Sequence, residues 1–181
     1  RLVIEPANAR TSALYRRWRE LAAERGITVR SAATGMSIAW PGLVVEVLDA
    51  GAAAAEGRVA RALVARVRLA GQALLIPGDA PPEQQRALAA SGDLAASALR
   101  VPRRGAADAL DAALLAAVRP QVAVVSAGRG NRWGHPVTAV LDLLAGAGVR
   151  TLRTDRHGTV TLTPADDGWR VATSREPAPE R

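Results

Sequence analysis

The chain has 181 residues, 49% of them hydrophobic and 23% charged, enough for one folded domain and too apolar for a disordered tail. It has no cysteine, which excludes a disulfide scaffold, thiolate-bound zinc and a thiol nucleophile, and no apolar run approaches the roughly 20 residues that span a bilayer. The net charge is +7 and every cation in the sequence is an arginine, a balance that attracts phosphate, anionic lipid or an acidic partner but that a GC-rich coding sequence also produces.

Leu2 to Ile4 is a short apolar run stopped by Pro6. Ser12 is placed to cap a helix whose Leu14, Trp18 and Leu21 recur at helical spacing up to Gly26. Arg16, Arg17 and Arg19 fall on its polar face. Ile27 to Arg30, Met36 to Trp40 and Leu43 to Leu48 read as strands, the last two turning at Pro41-Gly42. The alternation Leu63, Ala65, Val67, Leu69 against Val64, Arg66, Arg68 predicts a half-buried strand, which Ala70-Gly71 turns into the strand Ala73 to Ile76. Strand and helix then alternate. Pro82 opens a helix ending at Ser91-Gly92, Leu99 to Val101 is a strand, and Asp108 is expected to cap a helix that ends before Pro120. Val122 to Val125 has the continuous apolar character of a strand covered on both faces. A glycine-rich loop follows, then a helix expected to start at Pro136 and to carry Val140, Leu141 and Leu144. Val149 to Thr154, Thr159 to Thr163 and Trp169 to Ala172 predict a closing meander that turns at Asp155 to Gly158 and at Asp166 to Gly168. The expectation is a single α/β domain over 1–173, a mixed sheet with flanking helices, and a flexible tail over 174–181.

Three segments stand out in order: Leu74-Leu75-Ile76-Pro77-Gly78-Asp79, Val101-Pro102-Arg103-Arg104-Gly105, and Ser126-Ala127-Gly128-Arg129-Gly130-Asn131-Arg132-Trp133-Gly134-His135-Pro136. With Arg153-Thr154-Asp155-Arg156-His157-Gly158 they resemble the C-terminal metallo-β-lactamase-like domain of ComEC-type DNA-uptake proteins. There an apolar strand ends in Gly-Asp, the next leads into Val-Pro-His-His-Gly, and a third leads into a Ser-x-Gly-x-x-Asn-x-x-Gly-His-Pro loop. The resemblance runs from about Ile4 to Val160. It implies the C-terminal portion of an αββα sandwich with a two-metal site for phosphodiester hydrolysis, using zinc or manganese, attached to a transmembrane channel on the outer side of the membrane.

A two-metal site needs a bridging carboxylate and several imidazoles. Asp79 stands at the family's acidic position, but Arg103 and Arg104 replace its two histidines, and a guanidinium has no lone pair for a metal. The family's His-x-His-x-Asp-His motif is absent, and the only histidines, His135 and His157, are read as loop-orienting residues. Glu56 to Arg61 also departs from the family's Asn-Ser region. The expectation is a chain without metal or small-molecule cofactor, in which Asp79 pairs with Arg103 or Arg104. Arg103, Arg104, Arg129 and Arg132 are candidates for weak contacts to DNA, single-stranded DNA included. Trp133 is read first as a packed indole, with stacking on a base as the alternative. Asn131, Arg132, Gly134, His135 and Pro136 form the family loop. The sequence begins without Met or a signal peptide, so it reads as a cut from a longer protein; the alternative is therefore an active metal-dependent phosphodiesterase whose histidine motif lies before Arg1.

Overall fold

In β-strands successive side chains point to opposite faces, and the two faces of the central strands here meet different partners. The computed structural model describes residues 1–7, 12–51 and 61–176. Its main sheet has seven strands in sequence order: β3 (Ser37–Trp40), β4 (Leu43–Asp49), β5 (Val64–Leu69), β6 (Gln72–Ile76), β7 (Ala98–Arg100), β8 (Val122–Val125) and β9 (Arg150–Arg153). β3 to β6 pair antiparallel through tight turns, and β6 to β9 pair parallel. The parallel half requires crossovers, which α2 (Pro82–Ser91), α3 (Ala112–Val118) and α4 (Thr138–Gly146) supply.

Leu75, Leu99, Ala123 and Val125 pack against Leu88 of α2, Leu114, Leu115 and Val118 of α3, and Val140 and Leu144 of α4. Leu75, Leu99, Leu114 and Leu144 are fully buried, each contributing about 1.5–3 kcal/mol by transfer from water. On the other face Leu74, Ala98, Val122, Val124 and Leu152 meet Val160, Leu162, Trp169 and Val171 of a separate hairpin, β10 (Val160–Ala165) with β11 (Gly168–Thr173). The strand covered on both faces that Val122 to Val125 predicts is therefore present. A two-stranded parallel sheet, β1 (Leu2–Glu5) with β2 (Thr28–Ser31), is joined by α1 (Ala13–Glu24), which Ser12 caps through a hydrogen bond from the Tyr15 N–H.

Five expectations need correction. The cap of α3 is Asp111, whose Oδ1 accepts from the Ala113 N–H at 2.9 Å, while Asp108 pairs with Arg103. α4 begins at Thr138 rather than Pro136, because Pro136 is buried against Gly105 and the Val137 N–H is taken by the Gly105 carbonyl. The closing strands form no meander: β9 pairs parallel with β8, and the chain then leaves the sheet to build the hairpin beneath it. The expected turn at Asp155 to Gly158 is a single helical turn, α5 (Thr154–His157). The buried positions of β5 are Val64 and Arg66 rather than the Leu63 to Leu69 series, because Glu46 and Asp93 reach Arg66 with their carboxylates.

Two buried glutamines tie loops to the sheet. Gln84 bonds both the N–H and the C=O of Ala62 at 2.8 Å, and Gln85 donates to the carbonyls of Ala80 and Ala109 while accepting from the Asp111 N–H. Ser174 and Arg175 donate backbone hydrogen bonds to the carbonyls of Thr159 and His157. Of the Glu56 to Arg61 segment only Arg61 lies among the described residues, where it bonds Asp49.

Candidate nucleic-acid interface at the strand ends

The loops after parallel strands gather at one edge of a sheet, which is where open α/β sheets place their sites. Three such loops meet here. Asp79 follows β6, Arg103 and Arg104 follow β7, and the 126–137 loop follows β8. Gly78, at φ +59°, brings the first loop so close to β5 that an added Cβ would lie 2.9 Å from the Leu63 carbonyl oxygen.

The second loop is a 3₁₀ turn, Pro102–Gly105, opened by a buried proline. Arg103 (φ 46°, ψ 34°) and Arg104 (φ 58°, ψ 16°) both sit in the left-handed region, which costs an L-residue about 1–2 kcal/mol. Strain of this kind persists only where neighbours fix the backbone, and such places cluster at functional sites. The fixing contacts are the Ala106 N–H to the Arg103 carbonyl at 3.1 Å, the Val101 N–H to the Val124 carbonyl at 2.9 Å, and Gly105 against Pro136. Arg103 also pairs with Asp108 at 2.5 Å, and that guanidinium holds the Asp108 carboxyl below its ordinary range.

The third loop is organised by Asn131. Its side-chain amide donates to the carbonyls of Gly128 (3.0 Å) and His135 (2.7 Å), and its Oδ1 accepts from the His135 N–H at 2.9 Å. The peptide from His135 to Pro136 is cis. Thr154 secures the base of the loop by accepting from the Ala127 N–H and donating to its carbonyl, both at 2.9 Å. Next to it Arg153 makes a two-pronged pair with Asp155, and the Arg153 N–H donates to the His157 ring at 2.9 Å. Burial pushes the Asp155 carboxyl up, but the Arg153 bonds bring it below the ordinary value.

Together the loops form a pocket of about 230 Å³ lined by Asp79, Arg103, Arg104, Ala106, Trp133 and His135. Trp133 is 54% exposed, so it is not a packed indole. Its ring instead carries the guanidiniums of Arg132 and Arg104, centred 4.7 and 5.2 Å away. Cation–π contacts of this kind hold arginines in position while leaving their N–H donors at the rim. Arg129 is exposed on the same loop but does not line the pocket. Asp79 lines the pocket without the expected ion pair: among the described residues no cation lies within 4.0 Å of its carboxylate, because Arg103 has turned to Asp108 and Arg104 to Trp133. His135 contributes an imidazole whose Nδ1 is buried and has no partner among the described residues.

These donors do not fit the zinc or manganese centre that the resemblance implies. Among the described residues no three His, Asp or Glu side chains come together. The pocket offers one carboxylate and one imidazole beside two guanidiniums, whereas a zinc site needs at least three protein donors. Asp108, Asn131 and Thr154 escaped sequence reasoning as organisers; the offsets from Asn131 to His135 and from Arg103 to Asp108 were visible, but nothing in the sequence shows which atoms they join.

No protein-family model matches the chain. It is similar to the ComE operon protein 3 of Bacillus subtilis (strain 168), 28% identical over 142 residues, which are 78% of this chain and 18% of the relative. It is also similar to the competence protein ComA of Neisseria gonorrhoeae, 32% identical over 102 residues, 55% of this chain and 15% of the relative. A third relative, the uncharacterized protein YcaI of Escherichia coli (strain K12), is 30% identical over 105 residues, 57% and 14% of the two chains. The chain spans less than a fifth of the length of each of these relatives.

Proposed function

This chain is a relative of the ComEC-type competence proteins, and from that premise we propose that it is the soluble metallo-β-lactamase-like domain of a DNA-uptake protein, with the metal site replaced by arginines. The seven-stranded mixed sheet with three helices on one face and a hairpin on the other supports a partial αββα sandwich. No helix among the described residues is long and apolar enough to cross a membrane. The domain is attached to the transmembrane channel of the same protein, on its outer side, and its role is to contact DNA weakly without cleaving it.

The observation that carries this reading is the exposed Arg104–Trp133–Arg132 cluster on a pocket with too few metal donors. Guanidiniums bind phosphate through forked N–H donors, and binding of this kind is insensitive to sequence and weakened by salt. A competing reading, a metal-dependent phosphodiesterase that draws further ligands from outside this segment, is favoured by one fact: Asp79 and His135 share the pocket.

The test is single-stranded DNA binding across a salt series. Reversing Arg129 and Arg132 to Glu lowers affinity and flattens the salt dependence, whereas reversing Arg25 and Arg30, exposed on α1's end and β2, does much less. Equal losses at both pairs mean diffuse charge and overturn the interface. Manganese-dependent cleavage that disappears in Asp79→Asn decides for the phosphodiesterase.

A further inference from the structure

β1 and β2 form a parallel sheet of two strands, and two strands alone make a marginal sheet. The Thr28 N–H donates to the Arg1 carbonyl at 3.1 Å and the Ala32 N–H to the Glu5 carbonyl at 2.7 Å, so Arg1, Val3 and Glu5 turn their peptide groups toward β2. The N–H and C=O of Leu2 and Ile4 therefore point to the other edge, where no strand pairs among the described residues. Proteins guard such an edge with charge, proline or a covering element. Here Leu2 and Ile4 are apolar, and only Pro6, which has no N–H to offer, closes the far end.

Beside this edge runs a groove of about 550 Å³, lined by Val3, Ile4 and Pro6 on one side and by Leu14, Tyr15 and Trp18 of α1 on the other. Successive residues of a strand face opposite ways, so a groove that touches both Val3 and Ile4 lies along the edge rather than over one face. Leu14 is 82% and Trp18 37% exposed, and the Tyr15 and Trp18 rings stack 5.7 Å apart. The Tyr15 hydroxyl and the Arg19 guanidinium donate to the Glu5 carboxylate at 2.7 and 3.0 Å. These bonds fix α1 beside β1, so the groove is formed before anything enters it. An open strand edge next to an apolar groove suits an extended peptide, which main-chain bonds hold while alternate side chains enter the groove.

Resting on the reading that this chain is one domain of a longer protein, and not on its DNA contacts, we propose that β1 and α1 capture an extended apolar segment from elsewhere in the same polypeptide. The segment pairs with Leu2 and Ile4 and places one large side chain between Leu14 and Trp18. Two residues make too short a ladder to hold a separate protein, whose stable interfaces bury about 1,200–2,000 Å². A tethered segment instead meets the groove at about millimolar effective concentration. The portion matched here is less than a fifth of each relative, which leaves ample chain to supply it.

The probe is the acetylated and amidated peptide Thr-Ile-Ser-Val-Thr-Ile, added at about millimolar concentration to the isotope-labelled 181-residue chain and followed by NMR. It shifts the Leu2 and Ile4 amides and the Trp18 indole, whereas the same peptide with every amide N-methylated does not. Leu2→Pro removes one outward donor without touching the bonds to β2 and weakens binding about fivefold, the net worth of one hydrogen bond. Leu14→Glu, at a residue too exposed to matter for folding, abolishes it. In the full-length protein in detergent, amide exchange over β1 is slower than in the 181-residue chain by about tenfold or more. No shift, equal shifts with both peptides, or equal exchange in the two proteins overturns the capture. Shifts that grow with protein concentration alone assign the edge to a second copy and overturn it too. Single-stranded DNA affinity, read in parallel, is unchanged by the peptide and by Leu14→Glu, so a failed capture leaves the DNA interface standing and a failed interface leaves the capture.

Discussion

Replacing Gly105 by Ala tests whether the two arginine-bearing loops depend on one close backbone contact. At φ +77° the new side chain costs about 1–2 kcal/mol in backbone conformation. Its Cβ would also lie 2.6 Å from the Pro136 Cβ and 3.1 Å from the Pro136 Cα, where carbon atoms prefer about 3.5–4.0 Å. Pro136 cannot yield easily, since it is buried and the next residue's N–H is bonded to the Gly105 carbonyl at 2.9 Å. Overpacking of this kind costs about 1–3 kcal/mol, so the sum is about 2–5 kcal/mol, a large share of a domain's usual 5–15. Gly148→Ala is the matched control, because its φ is +69° and an added Cβ meets nothing within 4 Å. Urea unfolding with linear extrapolation separates the two, Gly105→Ala losing more by the overpacking share. Equal losses would show that the loops are not wedged together, and the pocket built on that contact would lose its foundation.

Gln85→Ala leaves the Ala80 and Ala109 carbonyls and the Asp111 N–H without their partner and lowers stability by about 2–4 kcal/mol; a loss under about 0.5 kcal/mol by the same unfolding assay, the range of ordinary surface changes, contradicts the role given to it. Burial pushes the Glu46 carboxyl up, yet hydrogen bonds from Arg66 and Arg68 bring it below its ordinary value, as Arg61 does for Asp49 and Arg153 for Asp155. Depressed folded-state values make this stability fully present above the unfolded carboxylate range of about 4 and remove it as pH falls through the folded values. The urea midpoint therefore drops in acid below about pH 4, and a midpoint that rises there refutes the pairing. Elemental analysis of the dialysed chain finds far less than one zinc or manganese ion per molecule; about one or more tightly held ions per chain ends the argument from Arg103 and Arg104.

Period and punctuation in the sequence determined most elements of the sheet, because alternation and tight turns are local: Ala70-Gly71 makes the β5–β6 hairpin, and Val122 to Val125 is covered on both faces. The sequence also showed that Arg103 and Arg104 stand where metal-binding imidazoles would, since that depends only on residue type. It did not reveal where these side chains go. Asp108 resembled a helix cap, and only the fold, by turning the backbone at Arg103 and Arg104 left-handed, set it against Arg103 and left Asp79 without that partner. Trp133 resembled a packing residue because indoles usually are; its exposure follows from a loop laced by Asn131 and carried outward at the strand ends. Arg66 lay in the polar half of an alternating strand, and Glu46 from the neighbouring strand and Asp93 from beyond α2 made its burial tolerable. Charge pairing and burial depend on residues far apart in the chain, so tertiary structure alone decided which arginines became structural and which were left facing solvent around Trp133.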